Sequence, residues 1–238
     1  MEGCSGCGCF QCTGRYCAQK VSIFAKLNED QLKEVVNLIE RKRYKKGDSI
    51  FSEGDVSDRL YIVNSGKVKV FKYTKEGKEQ ILYVLSEGDF VGELSLLKKD
   101  ELEFNGEALE DTSFCIIRKD HFDALIAKYP EITLRIMEKL HDRIRSLESL
   151  IQNLSTKDVE ARIARLLVSF AREFGMRQAN GSVEIEMPLS REEIGNYVGL
   201  TRETVSRKLS VMQDSGILEL VGSRRIIIKK IEELEEFL

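Results

Sequence analysis

The apolar positions of this chain change their period twice, and the changes divide it into regions. Residues 1–20 carry no apolar period and are expected to form a loop. In "SIFAKLNEDQLKEVVNLI" (22–39), Leu32, Val35, Val36 and Ile39 recur at helical spacing behind Asn28, predicting a short helix with an N-cap. From about Tyr44 to Lys119 the texture becomes short β-branched runs broken by Gly47, Gly54, Gly66, Gly77, Gly88 and Gly92. "RLYIVNSGKVKVFKY" alternates apolar and polar residues on both sides of Asn64-Ser65-Gly66, which predicts a hairpin, and "GKEQILYVLSEGDFVGEL" continues in the same style. Many short strands at regular turn spacing predict a sandwich or small barrel.

After Pro130 the period turns helical. Ile132, Ile136, Leu140, Ile144, Leu147, Ile151 and Leu154 follow one another every three or four residues, in a stretch free of Gly and Pro. A stripe so narrow on so long a helix reads as a coiled-coil seam, with part of it claimed by the β-domain. We expect a parallel homodimer through Ile136, Leu140, Ile144, Leu147, Ile151 and Leu154. Glu138, Asp142 and Glu148 fall off the stripe, so the seam carries no acid. "STKDVEARIARLLVSFAREFG" predicts a second helix, capped by Ser155 or Thr156 and stopped at Gly175. A polar turn and the strand "VEIEMPL" follow.

The most specific signal lies in "LSREEIGNYVGLTRETVSRKLSVMQDSGILELVGSRRIIIKK". Ser190 and Glu193 form a capping box that opens a short helix through Tyr197. Gly199 supplies a tight turn, Thr201 caps a second helix to about Gln213, and Gly216 ends it. Two apolar strands then flank Gly222-Ser223. Helix, turn, helix and β-wing make a winged helix-turn-helix. On the second helix Glu203 and Arg207 are i,i+4 and Ser206 is i+3, so they share the N-terminal face that enters a major groove. Arg207 can take a guanine O6/N7 pair bidentately, and Glu203 can accept from a cytosine amino group. Arg202, Glu203, Ser206, Arg207 and Lys208, with the caps Ser190 and Thr201, are the candidate DNA contacts. The plainer reading makes Glu203–Arg207 a surface ion pair worth a few tenths of a kcal/mol.

Composition agrees with a DNA-binding protein that is selective. A net charge of −3 argues against indiscriminate coating of nucleic acid. Yet from Thr201 to Lys230 there are seven Lys/Arg (Arg202, Arg207, Lys208, Arg224, Arg225, Lys229, Lys230) against Glu203, Asp214 and Glu219. With 42% hydrophobic and 32% charged residues the chain is globular, and its length permits two domains. No stretch is long and apolar enough to span a membrane, and no secretory h-region stands at the N-terminus, so we expect a cytoplasmic location. In that compartment thiols stay reduced, which bears on the six cysteines. Cys4, Cys7, Cys9, Cys12 and Cys17 crowd the first seventeen residues, and Cys115 stands alone. Clustered soft thiolates point to an iron–sulfur cluster, zinc or a redox switch. Two histidines, no Gly-rich cofactor loop and no clustered acid/base set leave an enzyme without support.

A β-domain, a long helix and a winged helix carrying "RETVSR" resemble the cyclic-AMP-receptor/fumarate-nitrate-reduction (CRP/FNR) family of bacterial transcription regulators, from about Phe24 onward. The resemblance implies an α+β chain. A Cys-rich loop (1–20) leads into a jelly-roll, or double-stranded β-helix, sensor domain (21–129). A dimerisation helix (130–155) and a winged helix-turn-helix domain (156–238) follow. "E-x-x-S-R" at Glu203–Arg207 is similar to the fumarate-nitrate branch, while Arg202 resembles the cyclic-AMP branch. The implied partners are a palindromic DNA operator with half-sites around a T-G-A core, and RNA polymerase. "ALEDTSFCIIRKDHF" resembles the segment holding the distant fourth ligand in the oxygen-sensing branch, which makes Cys115 a ligand of a 4Fe–4S cluster. Cys9-x2-Cys12-x4-Cys17 and Cys4-x2-Cys7-x4-Cys12 share one spacing, a residue shorter than the family's C-x2-C-x5-C. We expect Cys9, Cys12 and Cys17, the set closer to the folded domain, with Cys4 and Cys7 as alternates and zinc or a dithiol switch as the alternative chemistry.

Two other sensors of that family are not expected. Gly92-Glu93-Leu94 matches the turn whose Glu takes the ribose in cyclic-nucleotide binders. Leu102, Glu103 and Phe104 stand where Arg-Ser should meet the phosphate, and Lys98 and Lys99 are at the wrong offset. Haem would need an axial histidine, and His121 and His141 are not placed for it. The apolar seam further implies that the dimer survives loss of the cluster.

Overall fold

The structure, a computed structural model, describes residues 21–93, 101–155 and 158–236. The described residues divide into two compact units: one holds residues 21–72 and those between Tyr83 and Ile144, the other holds Tyr73–Leu82 and those between 145 and 236.

The first unit opens with a 3₁₀ turn at Ser22–Phe24 and helix α1 (Glu29–Asn37). Asn28 and Gln31 close a reciprocal capping box at the start of α1. Eight strands follow along the chain, with Tyr73 and Glu79–Leu82 belonging to the second unit: β1 (Glu40–Tyr44), β2 (Ser49–Phe51), β3 (Arg59–Ser65), β4 (Val68–Tyr73), β5 (Glu79–Leu85), β6 (Phe90–Val91), β7 (Asn105–Ala108) and β8 (Thr112–Arg118). They form two four-stranded sheets, ordered β1-β8-β3-β6 and β2-β7-β4-β5.

The alternating run around Gly66 is therefore not a hairpin. β3 pairs with β8 and β6, β4 pairs with β7, and the chain changes sheets between them. Gly66, at φ 90, makes that crossing. A side chain there would collide with the Thr112 hydroxyl and lie 2.8 Å from the Asp111 carbonyl oxygen.

The sheet β1-β8-β3-β6 is apolar on both faces, and this decides what each strand residue can do. Alternate positions Val63, Val91, Phe114 and Ile116 point between the two sheets, with Phe51, Val68, Val70 and Leu85. Leu60, Ile62, Phe90, Cys115 and Ile117 point the other way. That outer face is roofed by the 21–27 segment, by Leu32 and Val35 of α1, by helix α2 (Lys119–Lys128) through Phe122 and Leu125, and by Ile132 and Ile136 of helix α3 (Glu131–Ser155). Each such aliphatic or aromatic side chain taken out of water contributes about 1.5–3 kcal/mol before entropy is charged against it.

In the second unit, α4 (Val159–Phe174) is capped by Asp158, whose carboxylate accepts from the backbone N–H of Glu160 and Ala161. The cap thus lies beyond Ser155, in a run of four polar residues. Strands β9 (Gly175–Arg177) and β10 (Val183–Glu186), helices α5 (Arg191–Val198) and α6 (Arg202–Asp214), strands β11 (Leu218–Val221) and β12 (Arg225–Ile228), and a final turn of helix α7 (Ile231–Glu235) complete it. The sheet order is β11-β12-β10-β9. All of α4's apolar face is buried, from Ala161 to Ala171.

Candidate nucleic-acid interface and sensor face

The turn between α5 and α6 is built by three local constraints. Ser190 accepts from the Glu193 N–H while the Glu193 carboxylate accepts from the Ser190 N–H at 2.7 Å, so both ends of that capping box are filled. Gly199, at φ 68, ends α5 in the left-handed conformation. Gly195 lets the next segment close in: a Cβ there would sit 2.6 Å from the Leu200 carbonyl oxygen. Thr201 then caps α6 by accepting from the Thr204 N–H. Val205, Leu209 and Met212 bury one face of α6.

That packing turns Arg202, Glu203 and Arg207 into solvent and leaves Ser206 half-buried beside them. Among the described residues neither Arg202 nor Arg207 takes a hydrogen bond or ion pair, and Glu203 is not bonded to Arg207. The plain surface ion pair does not form. The other five cations of the basic stretch are engaged. Lys208 is paired with Glu160 of α4, so it is turned into the unit rather than toward a groove. Arg224 donates to the Pro188 carbonyl at 2.7 Å, and Arg225, Lys229 and Lys230 pair with Glu184, Glu219 and Glu233. Ser190 and Thr201 spend their hydroxyls as caps. What remains for a polyanion is a helix N-terminus with two unneutralised guanidinium groups and one carboxylate, a set suited to reading base edges.

Helix α3 is apolar on two faces. Ile132 and Ile136 are buried in the first unit's outer core, and Leu140 packs against it. Ile136, expected on the seam, is thus buried within its own chain. Met137, Ile144 and Ile151 form a heptad row and are 61%, 56% and 66% exposed. Leu140, Leu147 and Leu154, all half-buried, supply the alternate row.

The five N-terminal cysteines lie outside the described residues. Cys115 lies on β8, directly opposite Arg41 of β1 and Ile62 of β3, and is 2% exposed. Because it points away from the space between the sheets, it belongs to the layer containing Val21, Ile23, Phe24 and Leu27, the first described residues after the cysteine-rich stretch, and Ile132 and Ile136 of α3. Among the described residues no three His, Cys, Asp or Glu side chains gather as a metal site. His121 follows on α2 and His141 is exposed on α3.

At the other candidate site, Glu93 is 3% exposed and bonded at 2.6 Å to Arg143 of α3. Burial raises its carboxyl above the usual range and the guanidinium opposes that. Burial also pushes the neighbouring Tyr83 up to about 12. Leu102 is buried, Phe104 packs on Phe51, and the exposed Glu103 pairs with Lys72 at 3.3 Å. No cation stands at these three positions.

Comparison with known proteins adds a wider frame. The cyclic nucleotide-binding domain family matches residues 41–129, and the Crp-like helix-turn-helix domain family matches residues 161–237. The electron transport regulator A of Shewanella oneidensis is 34% identical over 228 residues, covering 94% of this chain and 88% of that protein. The fumarate and nitrate reduction regulatory protein of Yersinia pestis is 36% identical over 211 residues, covering 88% and 83%. Among solved structures, a CooA mutant from Carboxydothermus hydrogenoformans superposes with a TM-score of 0.76 at 28% identity, covering 92% of this chain and 94% of that one.

Proposed function

The chain belongs to the CRP/FNR family of DNA-binding transcription regulators, and from that premise we propose that its operator affinity is set by a 4Fe–4S cluster held by Cys9, Cys12, Cys17 and Cys115. The observation that carries this reading is the placement of Cys115. Its side chain shares one buried layer with the segment that follows the cysteine-rich stretch and with the start of α3. Only three residues separate Cys17 from the buried Val21, four steps of chain that span at most about 14 Å when extended. The donor chemistry fits: thiolates are the ligands such a cluster takes, and the five cysteines of residues 1–20 are the candidate partners of Cys115.

When bound, the cluster supplies an oxygen- and nitric-oxide-labile core that ties the N-terminal cysteines to β8. The chain's own residues do the rest. Val21–Leu27, Cys115, Ile132 and Ile136 belong to one buried cluster, so a shift of the first two would change the packing under the start of α3. A two-state element biased by a ligand needs differential packing of this kind. Two copies pair through Met137, Ile144 and Ile151, and α6 of each reads one half of a palindrome with Arg202, Glu203, Ser206 and Arg207. RNA polymerase is the expected onward partner. The shorter cysteine spacing favours zinc as the second reading.

Anaerobic purification with iron and sulfide assay tests this directly. A brown protein with a broad band near about 400 nm supports the cluster, and a colourless protein containing stoichiometric zinc replaces it with the second reading. Cys115→Ser must abolish the colour and the response to oxygen. Retention of both overturns the ligand assignment and leaves the DNA-binding assignment standing.

A further inference from the structure

For one turn after Leu140 the underside of α3 carries a charge in place of an apolar residue. Ile132, Ile136 and Leu140 rest on the outer core, and the next residue on that side is Arg143, i+3 from Leu140 and i+7 from Ile136. One of its terminal nitrogens donates to Glu93 Oε1 at 2.6 Å, and the other donates to the Phe90 carbonyl at 2.7 Å. The guanidinium lies over the Tyr83 ring, 4.9 Å from its centroid, and 5.9 Å from that of Phe90. Lys139, one turn earlier, adds a looser tie to Asp89 at 3.5 Å.

The carboxylate has little alternative. Glu93 is 3% exposed, and its Oε2 is buried without a hydrogen-bond partner. If α3 turned or lifted by more than an ångström or two, the charge would be left buried and alone, which is far more costly than either partner's contribution to a surface pair. An interaction of this kind tolerates one geometry and resists intermediate ones. Arg143 is also the residue before Ile144, where the first unit ends along the chain. Neighbouring residues on a helix lie about 100° apart, so holding Arg143 inward points Ile144 outward.

We propose that the Glu93–Arg143 pair is a latch that fixes the rotational setting of α3, and through it which side chains the helix turns toward a second copy of the chain. The Gly92-Glu93 turn, which would face a ligand's hydroxyls in a nucleotide binder, here receives a cation supplied by the protein's own helix. Arg143 and Glu93 are positioning residues: they touch no DNA and act through α3. The latch needs no metal.

Metal-free protein is therefore the material for the test, with Glu93→Leu/Arg143→Met as the double variant. Replacing both partners removes the latch without leaving a lone buried charge. Hydrogen exchange of the amides over residues 141–150 is expected to rise about tenfold, and operator affinity by fluorescence anisotropy to change about tenfold, as coupling through one element allows. Exchange over 132–140 is expected to stay as in the parent, and the unfolding temperature to remain within a few degrees. Unchanged exchange over 141–150 overturns the proposal. Should the double variant fail to fold, Arg143→Lys keeps the charge but loses the fork that reaches Glu93 and Phe90 together; it is expected to raise exchange over the same residues, and parent-like exchange there overturns the latch equally. Colourless parent protein would refute the cluster reading and leave these outcomes as they stand.

Discussion

Arg207 and Lys208 are adjacent cations with opposite fates, and the difference is measurable. Arg207 is exposed and unengaged among the described residues, while Lys208 is bound to Glu160. Arg207→Ala should cost about 1–3 kcal/mol of operator affinity and relax the preference at one base pair. Lys208→Ala should lower the unfolding temperature slightly and leave the salt dependence of binding near the parent's. Anisotropy titrations across a salt series, on matched and single-base-changed operators, distinguish the two. A second residue-scale outcome concerns acid. Glu34 accepts from Lys128 at 2.7 Å and from the Tyr129 hydroxyl at 2.8 Å, which hold its carboxyl below the usual value. A depressed acid stabilises the fold above its unfolded pKa, and that contribution is lost as pH falls through the folded one. Glu93 is raised, so its linkage runs the other way: stability is greatest below the unfolded value and is lost as pH rises through the folded value. Unfolding temperatures of parent and Glu34→Gln should therefore converge as pH drops from 6 to below about 4. Divergence would contradict the assignment. At this scale the motif is legible in the sequence but the rank of its cations is not, because what disarms Lys208 or Arg225 is a carboxylate 48 or 41 positions away, respectively.

Helix α3 shows what periodicity can and cannot resolve. Its inward face (Ile132, Ile136) and its outward row (Met137, Ile144, Ile151) are close enough around the axis that a single stripe can be drawn through both. Spacing alone places Ile136 on the stripe and leaves Met137 off it. Burial separates them, and so does mutation. Ile136→Ala should destabilise the fold by about 2–5 kcal/mol, whereas Ile144→Ala should change folding of a single chain little and weaken self-association. Denaturant unfolding with analytical ultracentrifugation reads both quantities; equal losses of folding stability would refute the two-faced description. The β-strands carry a related lesson. Alternation found β3 and β4 on either side of Gly66, but it cannot name a strand's partner, and sheet-switching looks like a hairpin in sequence. Capping chemistry was similarly redundant in Ser155-Thr156-Lys157-Asp158, where only geometry selects Asp158.

For the whole molecule, the order of β-domain, long helix and winged helix was legible because each segment has its own period and punctuation. The face of β8 that Cys115 occupies and the contact between residues fifty positions apart, Glu93 and Arg143, were not, since neither leaves a local pattern. The same layout bears on how a dimer would respond to loss of the proposed cluster. The rows available to a second copy are Met137, Ile144 and Ile151 with Leu140, Leu147 and Leu154, and none of them is charged. A seam that held an acid would gain repulsion once the sensor stopped pressing the helices together. This one has only apolar area to lose, at about 25 cal/mol per Å² re-exposed. Metal-free protein should therefore elute as a dimer in size-exclusion chromatography with light scattering, at the same mass as anaerobic protein, while its operator affinity differs. Ile144→Asp should yield monomers in both states, because two carboxylates would then face each other in the row. A parent protein that is dimeric when loaded and monomeric when stripped would show that the sensor layer, and not the α3 rows, supplies the force holding the two copies together.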